Sequence, residues 1–202
     1  MVGGGPAGII TAFRAARRGH SVTLWERKAR LGGALYYAGL APHKEPFKDY
    51  LNFLIKCLKD LPVEVVMEQI GDLDAIKKFV PDEVIFASGA SKPWPSIPGI
   101  EKMKWEDVTE GFDNPGTTGT RVLVAGGGGR GCELADFLAQ NRVDVTLMEA
   151  RERIASDTPF QIRYYLMRRL FDAGVKVLLR TEVKEIAPGS VCVNETGRER
   201  GI

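Results

Sequence analysis

RVLVAGGGGRGCELADFLAQNRVDVTLME, residues 121–149, reads as strand, glycine turn, helix, strand and terminal carboxylate, in that order. Val122, Leu123 and Val124 supply a short apolar strand, and Gly126, Gly128 and Gly131 then fit G-x-G-x-x-G. In such a turn the first glycine permits the tight bend and the second lets backbone approach a pyrophosphate. The third lets the helix sit against the sheet with its N-terminal N–H groups facing the phosphates. Leu134, Ala135, Leu138 and Ala139 turn the helix toward the sheet, and Val143, Val145 and Leu147 make the next strand. Glu149 ends that strand 18 residues beyond Gly131, at the reach of a ribose hydroxyl. A glycine turn alone also serves as a plain loop between core strands; the strand before, the helix after and the acid at that reach favour the nucleotide reading.

The chain shows the same unit a second time. Gly3, Gly5 and Gly8 recur at Gly126, Gly128 and Gly131, an offset of 123 in each case, and Val22-Thr23-Leu24-Trp25-Glu26 recurs as Val145-Thr146-Leu147-Met148-Glu149. Ala12 and Ala135, each four residues past the last glycine, keep the two helices close to their sheets. The expected fold class is α/β, with two Rossmann-type units built on parallel sheets, each holding the ADP moiety of a dinucleotide.

Composition excludes several alternatives. With 28 Lys and Arg against 26 Asp and Glu, the net charge of +2 provides no field for nucleic acid or a membrane surface. No apolar run reaches membrane-spanning length and no signal peptide precedes the first glycines, so a cytoplasmic setting is expected. Cys57, Cys132 and Cys192 are odd in number and widely spaced, which argues against a disulfide framework. His20 and His43 read as a helix end and a polar loop, and no metal site is expected.

Along the chain, Ile9, Ala12, Phe13 and Ala16 fall at helical spacing, with Gly19 as the stop. After Glu26, the cations Arg27, Lys28 and Arg30 form either a solvated basic edge or an approach to a phosphate. Leu31-Gly32-Gly33-Ala34 is a small-residue turn that suits backbone passing close to a ligand. Phe47, Tyr50, Leu51, Leu54 and Leu58 mark an amphipathic helix whose aromatics are expected in the core. Val63–Met67 reads as a strand, Asp72–Phe79 as a short helix, and Val84–Ala87 as a buried strand leading into a proline-rich exit through Pro93, Pro95 and Pro98-Gly99. Glu101–Gly119 reads as a polar linker docked by Trp105 and Val108. In the second unit, Asp157 or Thr158 should cap a helix beginning at Pro159, with Ile162, Tyr165, Leu166 and Leu170 buried and Gly174 as its end. A strand over Val175–Leu179 and an antiparallel pair around Pro188-Gly189 follow. Only Met1 and Val2 precede the first glycine turn and no closing strand of the second sheet is visible, so both units are expected to be incomplete, as in a fragment. The expected division is a partial first domain over 1–100, a linker over 101–119 and a partial second domain over 120–202.

The combination VGGGPAG, VTLWE, LGGAL, FASGA, IPGI, VLVAGGGGRGCELA and VTLME resembles the two-dinucleotide flavoproteins, the fold of glutathione and thioredoxin reductases. PHKEPFKDYLNFL and WEDV narrow the resemblance to the C-terminal region of the 2,4-dienoyl-CoA reductase, 2-enoate reductase and trimethylamine dehydrogenase family. That resemblance implies FAD in the first unit, on Gly3, Gly5, Gly8 and Glu26, with Gly33 near the flavin side and Ala87-Ser88-Gly89 where the chain leaves the FAD domain. It implies NAD(H) in the second, on Gly126, Gly128, Gly131 and Glu149. Glu133 matches a family glutamate that reaches toward the nicotinamide and reads equally as a helix-surface residue. Glu149 favours NAD over NADP because a carboxylate repels a 2′-phosphate, while Arg151 and Arg153 leave NADP(H) open.

The redox cysteine pair of disulfide reductases would lie just after Gly32-Gly33; none is there, so disulfide reduction is not expected. In the narrower family an N-terminal barrel carries FMN, an iron–sulphur cluster and the substrate acid–base groups, which makes such a barrel the expected partner domain. The function implied is an electron-entry module: NAD(P)H delivers hydride to FAD for reduction of an enoate or enoyl-type substrate elsewhere in a larger enzyme. No side chain of this chain is then required as a catalytic acid or base. The alternative is a nucleotide-binding scaffold, in which ADP sits where FAD would and no redox traffic passes.

Overall fold

The computed structural model describes residues 1–90, 95–102, 108–113, 119–195 and 198–201. They fall into two compact units, Met1–Lys92 and Pro93–Ile202. Each is an α/β unit built on parallel strands.

In the first unit β1 (Val22–Glu26) pairs in parallel with β2 (Val63–Met67), Val22 opposite Val63 and Glu26 opposite Met67. Val2 forms parallel bridges to both Trp25 and Phe86, so the chain order across this layer is β2, β1, Val2, Phe86. Main-chain bonds lock Val2 between its neighbours: its N–H donates to Ile85 O at 2.9 Å and its carbonyl accepts from Ala87 N at 2.7 Å. The segment expected as a buried strand over Val84–Ala87 is therefore one bridge, and it is not buried: Ile85 and Phe86 are 47% and 61% exposed. Helix α4 comes near this end of the sheet through Phe79, whose ring is 5.2 Å from that of Trp25, but it leaves Ile85 and Phe86 exposed.

Three helices cover the sheet. Helix α1 (Pro6–Arg17) starts with Gly5 as N-cap and proline in its first turn, and stops at Gly19 with φ of +90°. The short α2 (Gly33–Ala38) follows the small-residue turn, and α3 (Glu45–Lys59) packs on α1 and α2. Ile9, Ala12, Leu24, Leu51, Leu54 and Leu58 form the core between them. Leu51, Leu54 and Leu58 fill the buried stripe of α3, which leaves Phe47, Tyr50 and Phe53 outside it at 43%, 47% and 58% exposure. The aromatics expected inside are thus outside, where Tyr50 and Phe53 stack on one another. Asp72 caps α4 (Leu73–Phe79) by accepting from Ala75 N at 2.8 Å.

In the second unit, α5 (Val108–Asp113) occupies the middle of the stretch expected as a linker. Its Phe112 is buried, with its ring 5.0 Å from that of Phe137, and Val108 is half-buried. Trp105 and Pro93 lie outside the described residues. Strands β3 (Arg121–Ala125), β4 (Asp144–Glu149) and β5 (Lys176–Leu179) form a parallel sheet with β4 in the middle. Helix α6 (Gly129–Gln140) packs on β3 and β4 and against α7 (Phe160–Asp172). Helix α7 buries Leu166 and Leu170, but Ile162 and Tyr165 are 52% and 61% exposed, so its apolar stripe is narrower than expected. Its N-cap is Pro159, and neither Asp157 nor Thr158 caps it. The antiparallel pair is β6 (Thr181–Ala187) with β7 (Ser190–Glu195), and β8 (Arg198–Gly201) adds a third strand in the charged tail. Val191 and Val193 of this second sheet pack on Met148 of β4.

Candidate functional site: two glycine turns with their acids

Each parallel strand pair delivers a glycine turn to the N-terminus of a helix, and the two copies agree bond for bond. Gly3 N–H donates to Trp25 O and Gly126 N–H to Met148 O, both at 2.8 Å, which holds each turn on the neighbouring strand. Gly3 and Gly126 have φ of +108° and +111°, a backbone that side-chain-bearing residues rarely adopt. A Cβ on Gly8 would lie 1.8 Å from the Gly3 carbonyl oxygen, and one on Gly131 would lie 2.0 Å from that of Gly126. The third glycine of each turn is therefore demanded by contact between helix and turn.

The two acids close the turns. Glu26, 8% exposed, accepts from Gly4 N at 2.7 Å through Oε2 and from Lys28 N at 2.9 Å through Oε1. Glu149 accepts from Gly127 N and Arg151 N, both at 2.8 Å, through the same pair of oxygens. Each carboxylate is thus fixed by two main-chain donors before any ligand is considered, with lone pairs left over for a hydroxyl.

The structure adds a third contact that the motif did not disclose. Gly32 N–H donates to Gly4 O at 2.8 Å, and Ala155 N–H donates to Gly127 O at 2.6 Å. Beside them Leu31 and Ile154 wedge against Gly4 and Gly127, where a Cβ would come within 2.4 Å and 2.7 Å of their side chains. The repeat at an offset of 123 continues past the acids through Leu31/Ile154 and Gly32/Ala155; following it that far would have found both clasps. The turns differ at the next residues. Gly33 lies against Gly5, its Cβ position 3.1 Å from Gly5 Cα. In the second unit Asp157 Oδ1 accepts from Gly129 N at 2.7 Å, at the first residue of α6.

Of the other expected residues, Ala87 and Ser88 pass so close to Gly3 that a Cβ there would meet Ala87 O at 2.4 Å, and Gly89 turns with φ of +78° in the open. Glu133 is half-buried in α6. Lys28 and Arg30 converge on the Tyr37 hydroxyl, Arg30 at 3.2 Å, with the Arg30 guanidinium also 4.4 Å over the Tyr36 ring. An apolar cavity of about 370 Å³ between α7 and β5, lined by Ile154, Met167, Leu170, Val175 and Leu179, contains none of the glycine-turn residues.

All three thiols are free. Cys132 is fully buried and donates to Gly127 O at 3.2 Å; burial pushes its thiol up to about 12. Among the described residues no group of three His, Cys, Asp or Glu side chains is placed to hold a metal, and no helix is long and apolar enough to cross a membrane.

Comparison with known proteins agrees with this geometry. The chain is 36% identical over 98% of its length to an NADH oxidase of Thermoanaerobacter brockii, covering 31% of that protein. It is 37% identical over 76% of its length to a cinnamate reductase of Clostridium sporogenes, covering 23% of that protein. It therefore spans about a third of the length of these relatives, or less. A 2-naphthoyl-CoA reductase in complex with 2-naphthoyl-CoA shares the fold over the whole chain and 30% of its own, with a TM-score of 0.91 at 23% identity. Residues 1–201 match the model of the pyridine nucleotide-disulphide oxidoreductases, and the chain belongs to that family.

Proposed function

We propose that this chain is the nucleotide-handling region of a larger flavin-dependent reductase, with FAD in the first unit and NAD(H) in the second. The observation that carries the reading is the second glycine of each turn. Where the third glycines are forbidden a side chain by the protein itself, a Cβ on Gly5 would meet nothing nearer than Gly33 Cα at 4.0 Å. One on Gly128 would meet nothing nearer than Asp157 Oδ2 at 3.5 Å. Space kept open beside the N-terminus of a twelve-residue helix suits the oxygens of a pyrophosphate rather than packing. The residues present therefore fit a dinucleotide at the first turn, and at the second once the Asp157 carboxylate leaves the Gly129 amide.

When bound, the two cofactors supply hydride transfer from reduced nicotinamide to flavin. The chain's own residues bind and orient. Gly3, Gly5 and Gly8 would seat one pyrophosphate at α1, and Gly126, Gly128 and Gly131 the other at α6. Glu26 and Glu149, already anchored on main-chain amides, would each accept from a ribose hydroxyl. Gly33 and Ala87-Ser88-Gly89 would line the flavin side, and Glu133 the nicotinamide side. Glu149 supports NADH over NADPH. The described thiols support no dithiol step: the first unit has Cys57 alone, and Cys132 stays protonated. The likeness to a cinnamate reductase supports an enoate or enoyl-type substrate, handled by a partner domain such as an FMN and iron–sulphur barrel.

Anaerobic NADH should bleach the flavin absorbance of the native protein, faster than NADPH does. Flavin that stays oxidised under an excess of both nucleotides removes the reading. A second reading, an ADP-holding scaffold, draws on one asymmetry: among the described residues, the second turn alone has a carboxylate, that of Asp157, on its helix N-terminus. Extracting the bound nucleotide separates the two, since FAD supports electron entry and ADP alone supports the scaffold.

A further inference from the structure

The two turns are copies up to one position, and at that position they diverge in charge. Leu31-Gly32-Gly33-Ala34 and Ile154-Ala155-Ser156-Asp157 stand at the same offset of 123 and clasp their turns with the same main-chain bond. Ala34 offers α1 no acceptor. Its counterpart Asp157 puts a carboxylate oxygen 2.7 Å from the N–H of Gly129, and both its oxygens lie within 3.8 Å of the open side of Gly128. That is the anion position of α6, the amides and the space that the proposed function gives to a pyrophosphate. Two anions cannot share one N–H, and at this distance they repel. Asp157 is itself exposed, on the loop that follows β4.

We propose that Asp157 is a built-in competitor for the dinucleotide: a carboxylate latch on the α6 amides that the pyrophosphate must displace. It makes the second unit an exchanging site, suited to a nucleotide that arrives and leaves in every turnover. The first unit, with Ala34 in place of the latch, is suited to a nucleotide that stays. The proposal rests on the dinucleotide reading of the second unit.

The test compares native protein with D157N, which keeps the side chain's shape and a capping oxygen but removes the charge. NADH, ADP-ribose, adenosine and inorganic pyrophosphate are titrated separately, with flavin content and the melting curve recorded for each variant. D157N should bind NADH and ADP-ribose roughly tenfold more tightly, with slower release, while adenosine binding is unchanged. D157A serves as the second variant and should behave alike. Unchanged or weaker binding of NADH and ADP-ribose by D157N overturns the latch and leaves the dinucleotide reading standing. A gain for pyrophosphate with no NADH binding by any form supports the latch and removes the nicotinamide. No binding of any probe by any form removes both.

Discussion

At the scale of single residues, glycines of one motif carry unequal burdens. An alanine at Gly8 or Gly131 places a methyl 1.8 or 2.0 Å from a carbonyl oxygen, which helix and turn relieve only by separating. Each substitution should cost about 3 kcal/mol or more, read as a fall in the denaturation midpoint. Gly5→Ala meets no such contact, and Gly5 already has an ordinary φ of −74°, so its cost should stay within about 1 kcal/mol, that of an altered cap. Cys132 gives a second residue-scale expectation. Its thiol is raised in the fold to about 12 from the ordinary 9.0, so above pH 9 the unfolded chain loses a proton that the folded chain keeps. That contribution is intact below pH 9 and is lost as pH rises toward 12, and Cys132→Ala should flatten this part of the stability profile relative to native. At pH 8, alkylation followed by mass spectrometry should label the half-buried Cys57 and Cys192 and spare Cys132 until the protein unfolds.

At the scale of elements, α6 and α7 are joined by more than apolar contact. Asp136 is fully buried on α6; its Oδ2 accepts from Arg169 of α7 at 2.7 Å and its Oδ1 from Gln140 at 3.1 Å. Arg169→Met should cost about 3 kcal/mol by leaving the carboxylate buried without its cation, and Asp136→Leu added to it should recover much of that loss, both measured by denaturant unfolding. The C-terminus of α6 offers an opposite sign. The first unit's helix ends on Gly19, but the matching residue is Arg142, held at φ of +65°. Arg142→Gly should raise stability by up to about 1 kcal/mol. Legibility follows from the same facts. The period of alternating and helical positions disclosed β1 to β7 and the helices α1, α3, α6 and α7, because each packs a stripe against a neighbour of its own unit; α4 was legible as a short helix although it buries no residue. It failed where burial comes from charge pairing or is absent. Asp136 sits on the buried face of α6 as a polar residue among leucines, and Phe47, Tyr50, Ile162 and Tyr165 are apolar residues on faces that the described residues leave uncovered. Helices α2 and α5 and strand β8 were hidden in stretches too short or too charged to show a period, α2 behind what reads as a small-residue turn. In the site, glycines and acids were legible from spacing, and the offset of 123 also carried Leu31 and Ile154 although only the glycines and acids were followed. Asp157 was not legible, since Ala34 stands at its counterpart and its part depends on a loop folding back over the turn.

At the scale of the molecule, the chain is one nucleotide-binding design used twice, each copy with its own core, turn and acid. Damage confined to one turn should therefore remove one nucleotide and spare the other. Gly128→Ala and Gly5→Ala are the matched pair for this, since both put a methyl where a pyrophosphate would press and neither collides with the protein. In the native protein, Gly128→Ala should keep a full complement of flavin, lose NADH affinity by about tenfold or more, and slow flavin bleaching by NADH while dithionite still bleaches it completely. Gly5→Ala should lower flavin content and keep NADH binding, measured by titration in the dark-adapted, oxidised form. The two outcomes cross only if each unit takes the nucleotide assigned to it. Should Gly128→Ala strip the flavin and Gly5→Ala leave it, the assignment of cofactors to units is reversed. Should either variant abolish both, the copies are not independent, and the duplicated sequence describes ancestry rather than two working sites.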